Sequence, residues 1–217
     1  MKVLHIDASA RQSRSHTRRL SALFIEELRR SCPDLSVIRR DLALSPPPFV
    51  SEKWIAAAFT NEELRTEEMR NTLRVSDELI DELLASDLYV FGLPMYNFSV
   101  PAAFKSYIDQ IIRVGRTFSF QPEQPESYKG LIQRKTAVLI AARGDSGYGP
   151  DGPHWSKNHL EPYVSDVLRF VGVTSIKTVA VENDEQGGLS LQQSIAAAAG
   201  ALRAIAANLS PTLLRSA

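Results

Sequence analysis

Four short apolar segments separated by helix-spaced patterns constrain this chain more tightly than any other feature. They are VLHIDA (3–8), LYVFGL (88–93), TAVLIAA (136–142) and IKTVAVE (176–182). Each is short, bounded by turn residues and rich in β-branched or aromatic side chains, which predicts a strand covered on both faces. LSVIRRDL (35–42) alternates more and suits a sheet edge. Between these segments apolar residues recur at three and four positions: Leu20, Leu23, Phe24 and Leu28, then Phe104, Ile108, Ile111 and Ile112, then Leu160, Val164, Val167, Leu168 and Val171. The Ala-rich run 191–209 reads as helix too. Strands alternating with helices imply βαβ units. The predicted fold class is α/β, a doubly wound five-stranded parallel sheet in the order 2-1-3-4-5 with helices on both faces. One domain is expected over residues 1–217. An insertion at about 45–75 begins with SPPP, carries Trp54 and Phe59, and is expected to pack over the site or against a partner subunit.

Charge and cysteine content remove several function classes. Lys plus Arg number 25 and Asp plus Glu also 25. That balance argues against a nucleic-acid binder, whose footprint is basic, and against a strongly acidic electron carrier. Cys32 is the sole cysteine, so neither an intramolecular disulfide nor a cysteine-based metal cluster is available. The four histidines make no recognisable ligand set, and no metal is expected. No apolar run approaches the roughly 20 residues that span a bilayer, so no membrane association is expected. MKVLHIDAS has one Lys and no long apolar region; no signal peptide is expected, and the expected location is the cytoplasm.

In this strand order ligands bind beyond the carboxyl ends of the strands, near the switch point between strands 1 and 3. The loops of interest follow Ala8, Leu93 and Ala142. The first, SARQSRSHT (9–17), runs into a helix that starts near Ser15. Ser9, Ser13, Ser15 and Thr17 set hydroxyls among unpaired first-turn N–H groups, a natural phosphate site. Neither the glycine fingerprint of a dinucleotide site nor a GxxxxGK[ST] loop is present. A hydroxyl cradle suits one terminal phosphate better than a pyrophosphate, which needs glycine for close backbone approach. Plain helix capping accounts for the same residues equally well. Arg11, Arg14 and Arg18 either add positive charge or are simply solvated.

The second loop, PMYNFSVP (94–101), keeps large side chains where a strand exit ordinarily turns polar. Tyr96 and Phe98 offer aromatic faces, Met95 a polarizable one, and Asn97 an amide that both donates and accepts. Such a wall suits a flat ring with a donor–acceptor edge, as a flavin has. The alternative is a loop that buries its aromatics in the core; the adjacent serine loop favours the ring. In the third loop, ARGDSGYGPDGP (142–153), Gly144 allows backbone to meet a ligand edge, where N–H groups stabilise charge on a reduced ring. Gly147, Gly149 and Gly152 predict a mobile flap, or merely a turn-rich connection.

With these residues in place, the chain resembles the FMN-dependent NADH azoreductases and, more distantly, the NAD(P)H quinone reductases of the flavodoxin-like fold. PMYNFSVPAAFKSYIDQIIRVGRTFSF (94–120) carries most of the resemblance; SARQSRSHT (9–17), ARGD (142–145) and EPYVSDVLRFVGV (161–173) carry less. The resemblance implies FMN as cofactor, NADH or NADPH as electron donor, and a quinone or azo compound as acceptor. It implies a ping-pong cycle in which hydride passes through flavin N5 and no side chain acts as a catalyst. It assigns Ser9, Ser15, His16 and Thr17 to the FMN phosphate. Pro94, Met95, Tyr96, Asn97 and Phe98 flank the isoalloxazine, with Ala142, Arg143, Gly144 and Asp145 toward its pyrimidine end. Phe98, Phe118 and Phe120 are assigned to substrate stacking, and a homodimer is implied with the sites at its interface.

The chain departs from the family pattern at three places. Ser15-His16-Thr17 replaces the common Ser-Gln-Ser turn but keeps the hydroxyls. Ala142 and Asp145 replace the outer residues of Ser-Arg-Gly-Gly, removing one hydroxyl and adding a carboxylate that opposes an anionic reduced ring. Phe120 stands where some members carry Tyr, keeping the stack and losing the hydroxyl. Tyr148 and His154 are read as surface loop residues ahead of proton donors, and Cys32 as a spectator. The rival readings are a flavodoxin-type electron carrier without substrate turnover and a doubly wound binding domain without flavin.

Overall fold

The computed structural model describes residues 1–214, with side chains through Leu209. Five parallel strands, β1 (Lys2–Asp7), β2 (Ser36–Asp41), β3 (Leu88–Pro94), β6 (Thr136–Ala142) and β7 (Ser175–Val181), form one sheet in the order β2-β1-β3-β6-β7. This is the expected 2-1-3-4-5 arrangement once a short hairpin is set aside. That hairpin, β4 (Phe118–Phe120) with β5 (Tyr128–Gly130), is antiparallel and stands outside the main sheet. Its three-residue strands are too short to show a period, so no apolar pattern marks either of them in the sequence.

Alternation along the strands sorts the core into two layers. Tyr89, Phe91 and Leu93 of β3, with Ala137, Leu139 and Ala141 of β6, face α3 (Glu67–Ala85), α4 (Ala102–Ile111) and α5 (Glu161–Phe170). Leu88 and Val90, with Val138 and Ile140, face α1 (His16–Ser31) and α6 (Gly188–Leu214). β2 is only partly covered, as an edge strand should be. Gly92 sits in the middle of β3 on the α1 side. A Cβ there would lie 2.6 Å from Asp7 Oδ1, and Asp7 is buried and accepts a hydrogen bond from Ser21 Oγ of α1 at 3.0 Å. The missing side chain is what lets α1 settle onto the sheet.

Residues 45–75 leave the end of β2, where Ser45 N donates to Asp41 O at 2.9 Å, and run along α4 into the first half of α3. The prolines donate no backbone hydrogen bond; Ser106 Oγ meets the carbonyls of Pro47 and Pro48 at 2.9 and 3.0 Å, and Gln110 Nε2 donates to Pro48 O at 2.8 Å. In α2 (Glu52–Phe59) Trp54 donates Nε1–H to Gln110 Oε1 at 2.9 Å and packs with Ala57, Ala58 and Leu73. The Pro47, Pro48 and Trp54 anchors of this segment lie on α4. Arg113, fully buried beneath it, pairs with Asp77 at 2.7 Å and Ser76 Oγ at 3.1 Å. No helix among the described residues is long and apolar enough to cross a membrane.

Gly92→Ala should destabilise the protein by about 1–3 kcal/mol, because a buried, hydrogen-bonded carboxylate must move. Gly200→Ala, where a Cβ meets open space on α6, should stabilise it by up to about 1 kcal/mol. Urea denaturation of both variants checks the contrast.

Candidate functional site: a cleft at the carboxyl ends of the strands

The loops after β1, β3, β6 and β7 meet in a cleft of about 200 Å³. It is lined by Ser9, Ser15, His16 and Thr17 from the first loop and α1, and by Pro94, Met95 and Tyr96 from the second loop. Ala142, Arg143 and Gly144 close the third side. Ser15 shows why capping and ligand binding were hard to separate in the sequence: it does one and is placed for the other. Its Oγ accepts the Arg18 N–H at 3.3 Å as the N-cap of α1, lies 3.1 Å from Thr17 Oγ1, and lines the cleft. The first turn of α1 thus brings hydroxyls and a positive helix end to one spot, the donor set that an anionic oxygen cluster needs.

The loop 95–99 is a tight reversal. Tyr96 N donates to Ser99 O at 2.9 Å and Ser99 N to Tyr96 O at 3.1 Å, around Asn97 at φ 47° and Phe98 at φ 70°. Asparagine tolerates the left-handed region; phenylalanine there costs about 1–2 kcal/mol. The strained turn is held by His159 N–H to Phe98 O at 2.8 Å and by the Tyr148 ring, 6.4 Å from that of Phe98. Phe98 is left 47% exposed beside the cleft and Tyr96 lines it. A flat face is thereby presented at the cleft mouth instead of being buried in the core. Nothing in the sequence signals a phenylalanine at positive φ.

The third loop is compact. Asp145 accepts from Ser146 N at 2.8 Å and from Gln186 Nε2 at 2.7 Å, so its carboxylate is engaged with the β7–α6 connection and is not among the cleft-lining groups. The Arg143 guanidinium also turns inward, pairing with Glu161 and with Glu182, the latter at 2.7 Å. Arg143 lines the cleft with its guanidinium already engaged by two carboxylates. A Cβ at Gly144 would meet Glu185 Oε1 at 2.5 Å, so glycine lets the Glu185 side chain lie against the backbone there. In place of a loose flap, His154 Nδ1–H donates to Ser146 O at 3.0 Å, Asn158 Nδ2 to Tyr148 O at 2.9 Å, and His154 N to Gly147 O at 2.9 Å. His154 is used inside the loop, and Tyr148 backs Phe98.

Sequence reasoning missed Asp184 and Glu185, which line the cleft from the loop after β7. The signal was available, because every parallel strand delivers its following loop to the same edge. Asp184 accepts from Arg11 Nη1 at 2.6 Å and from His16 Nε2 at 2.8 Å. Burial alone would raise its carboxyl, but these two partners outweigh it and hold Asp184 below the ordinary carboxylate value. Asn97, Phe98, Asp145, Phe118 and Phe120 do not line the cleft; the last two stand on the β4–β5 hairpin.

A family model for the flavodoxin-like fold matches residues 1–206. The chain thus belongs to the flavodoxin-like family. Within it the chain is 42% identical over 203 residues to the FMN-dependent NADH:quinone oxidoreductase of Nostoc punctiforme, covering 94% of this chain and 97% of that protein. It is 40% identical over 207 residues to FMN-dependent NAD(P)H:quinone oxidoreductase 1 of Pseudomonas aeruginosa, covering 94% and 98%. Among solved structures it is similar to an azoreductase from Bacillus anthracis, with a TM-score of 0.85, 29% identity, and 95% and 98% of the two chains covered.

Under the first loop, Arg18 and Asp41 form a bidentate pair at 2.5 and 2.8 Å. The Arg18 hydrogen bonds, opposed by burial and aided by the N–H groups of Leu44 and Ala43, hold the Asp41 carboxyl below its ordinary value of 3.8. A depressed acid contributes its stability above the unfolded pKa and loses it as pH falls through the folded one. Asp41→Asn should therefore cost about 1–3 kcal/mol at neutral pH. In urea titrations across pH, the gap to wild type should stay constant down to 3.8 and narrow below it.

Proposed function

We propose that this chain is an FMN-dependent NAD(P)H oxidoreductase that reduces quinones and reductively cleaves azo compounds. The observation that carries the proposal is the single cleft in which the hydroxyl-bearing N-terminus of α1 adjoins the Met95–Tyr96 wall and the Gly144 edge. The donor set fits FMN. Ser9, Ser15 and Thr17, with the first-turn amides and the side chains of Arg11 and His16, would hold a terminal phosphate. Pro94, Met95, Tyr96 and the exposed Phe98 would flank the ring, and Ala142 through Asp145 would meet its polar edge through backbone. Bound FMN supplies the redox chemistry, accepting hydride at N5 from NADH or NADPH and passing two electrons to the acceptor. The residues of the chain orient the ring, balance its charge and shield one side from water. The names of the relatives support this reading over a flavodoxin-type electron carrier.

The cleft is smaller than the roughly 300–1,000 Å³ typical of sites that enclose a ligand of this size. A second copy of the chain supplies what one copy lacks in this reading. Phe118 and Phe120 stand off the cleft with Tyr128 and Phe170 in a surface aromatic cluster, ring centroids 4.9 to 6.1 Å apart, and Phe120 is 47% exposed. In a homodimer such a hairpin would reach the partner's cleft and stack on its substrate. We read the chain as one domain carrying the 45–75 insertion, working in the cytoplasm where a consumer of reduced nicotinamide finds its donor.

With FMN added, the purified protein should oxidise NADH in the presence of a benzoquinone and, at its own rate, an azo dye. Parallel double-reciprocal plots should mark the ping-pong cycle. Protein that takes up no FMN, or FMN-loaded protein that turns over neither acceptor, would sink the proposal. In sedimentation velocity the protein should run as a dimer. Phe120→Ala should lower turnover of the quinone by about tenfold with FMN affinity preserved, as loss of one stacking aromatic implies.

A further inference from the structure

Arg18 stands in the first turn of α1, where a positive charge is disfavoured by the helix dipole. It is 14% exposed by its side chain and does not line the cleft. Its guanidinium is occupied on two sides. On one it forms the bidentate pair with Asp41 and lies 3.9 Å from the buried Asp7. On the other, Nη2 and Nε donate to Ser9 O at 2.6 and 3.2 Å, and Nε also donates to Arg11 O at 3.0 Å. One side chain thus ties the end of β2 to two carbonyls of the 9–15 loop.

Peptide geometry turns this into a consequence for the cleft. In a trans peptide the C=O and the following N–H point in opposite directions, and the described chain has no cis bond. Drawing the Ser9 and Arg11 carbonyls onto one guanidinium turns the N–H groups of Ala10 and Gln12 away from it. For Ala10 the result is visible: its N–H donates to Tyr96 Oη at 3.1 Å, and Tyr96 lines the cleft. The same bond ties the first loop to the ring-facing wall.

We propose that Arg18, braced by Asp41, is a positioning residue that shapes the 9–15 loop into a phosphate receptor without facing the phosphate itself. The inference rests on the FMN reading given above. Lysine cannot replace arginine in this role, because a point charge cannot span two carbonyls and a carboxylate in one plane. A coulombic contribution to phosphate binding, by contrast, would survive the change to lysine.

The test titrates full-length protein, freed of flavin, with FMN and with riboflavin, which lacks only the phosphate. Wild type should bind FMN more tightly than riboflavin. In Arg18→Lys and Arg18→Met the FMN affinity should fall on the order of tenfold or more while riboflavin affinity stays within about twofold. Asp41→Asn should move the ratio in the same direction by a smaller factor. Equal losses for both ligands would mean a general structural role and would overturn the inference, as would wild-type FMN affinity in Arg18→Lys. Wild-type protein that binds neither ligand would overturn the FMN reading itself, and this inference with it. Arg18→Lys carries the test if Arg18→Met does not fold, since it keeps a cation beside Asp41.

Discussion

The need to bury both faces of a parallel sheet governs this molecule. Parallel strands require crossover helices, and the helices must cover both sides, so the two core layers arise together. The same constraint sends the carboxyl ends of β1, β3, β6 and β7 to one edge. Four loops that are far apart in the chain must meet there. The cleft follows from topology before any of its side chains is chosen. Gly92 shows how closely the two are coupled: the position that admits α1 to the sheet also sets where the first turn of α1, with Ser15 and Thr17, stands over the strand ends.

Polar groups at this edge are bound to one another before any ligand arrives. Arg143 pairs with Glu161 and Glu182, and Asn158 donates to Glu161, closing the third loop around buried charge. Breaking one partner of such a pair is far more costly than never having built it. The arrangement is therefore rigid, and rigidity is what a turn carrying Phe98 in the left-handed region needs. Strain in that turn, the His159 tether and the Tyr148 ring act together to hold an aromatic face outward. Pre-organisation of this kind spares a ring-shaped cofactor the ordering of its own wall.

The core elements were legible because burial writes itself into period. The apolar runs at 88–93 and 136–142 report double-sided burial, and the three-and-four spacing of Leu20, Leu23, Phe24 and Leu28 reports one buried helix face. PMYNFSVP stood out because its large side chains conflict with ordinary loop composition, and the serine loop because it follows a strand at the same edge; residues of both line the cleft. Direction was not legible. Arg143 and Asp145 point away from the cleft for reasons that lie in Glu161, Glu182 and Gln186, remote in sequence. The resting place of Trp54 depended on Gln110, and the β4–β5 hairpin on strands too short to carry a period. Asp184 lies on the loop after β7, which the parallel topology brings to the same edge as the loops after β1, β3 and β6.

The central claim is that one cleft holds a flavin that is alternately reduced by nicotinamide and reoxidised by an acceptor. Anaerobic stopped-flow absorbance of the FMN-loaded protein tests it most directly. NADH should bleach the oxidised flavin band in a single turnover, and a benzoquinone mixed in afterwards should restore it with nothing else added. A flavin band that NADH leaves unchanged, or that stays bleached when quinone is supplied, would contradict the account.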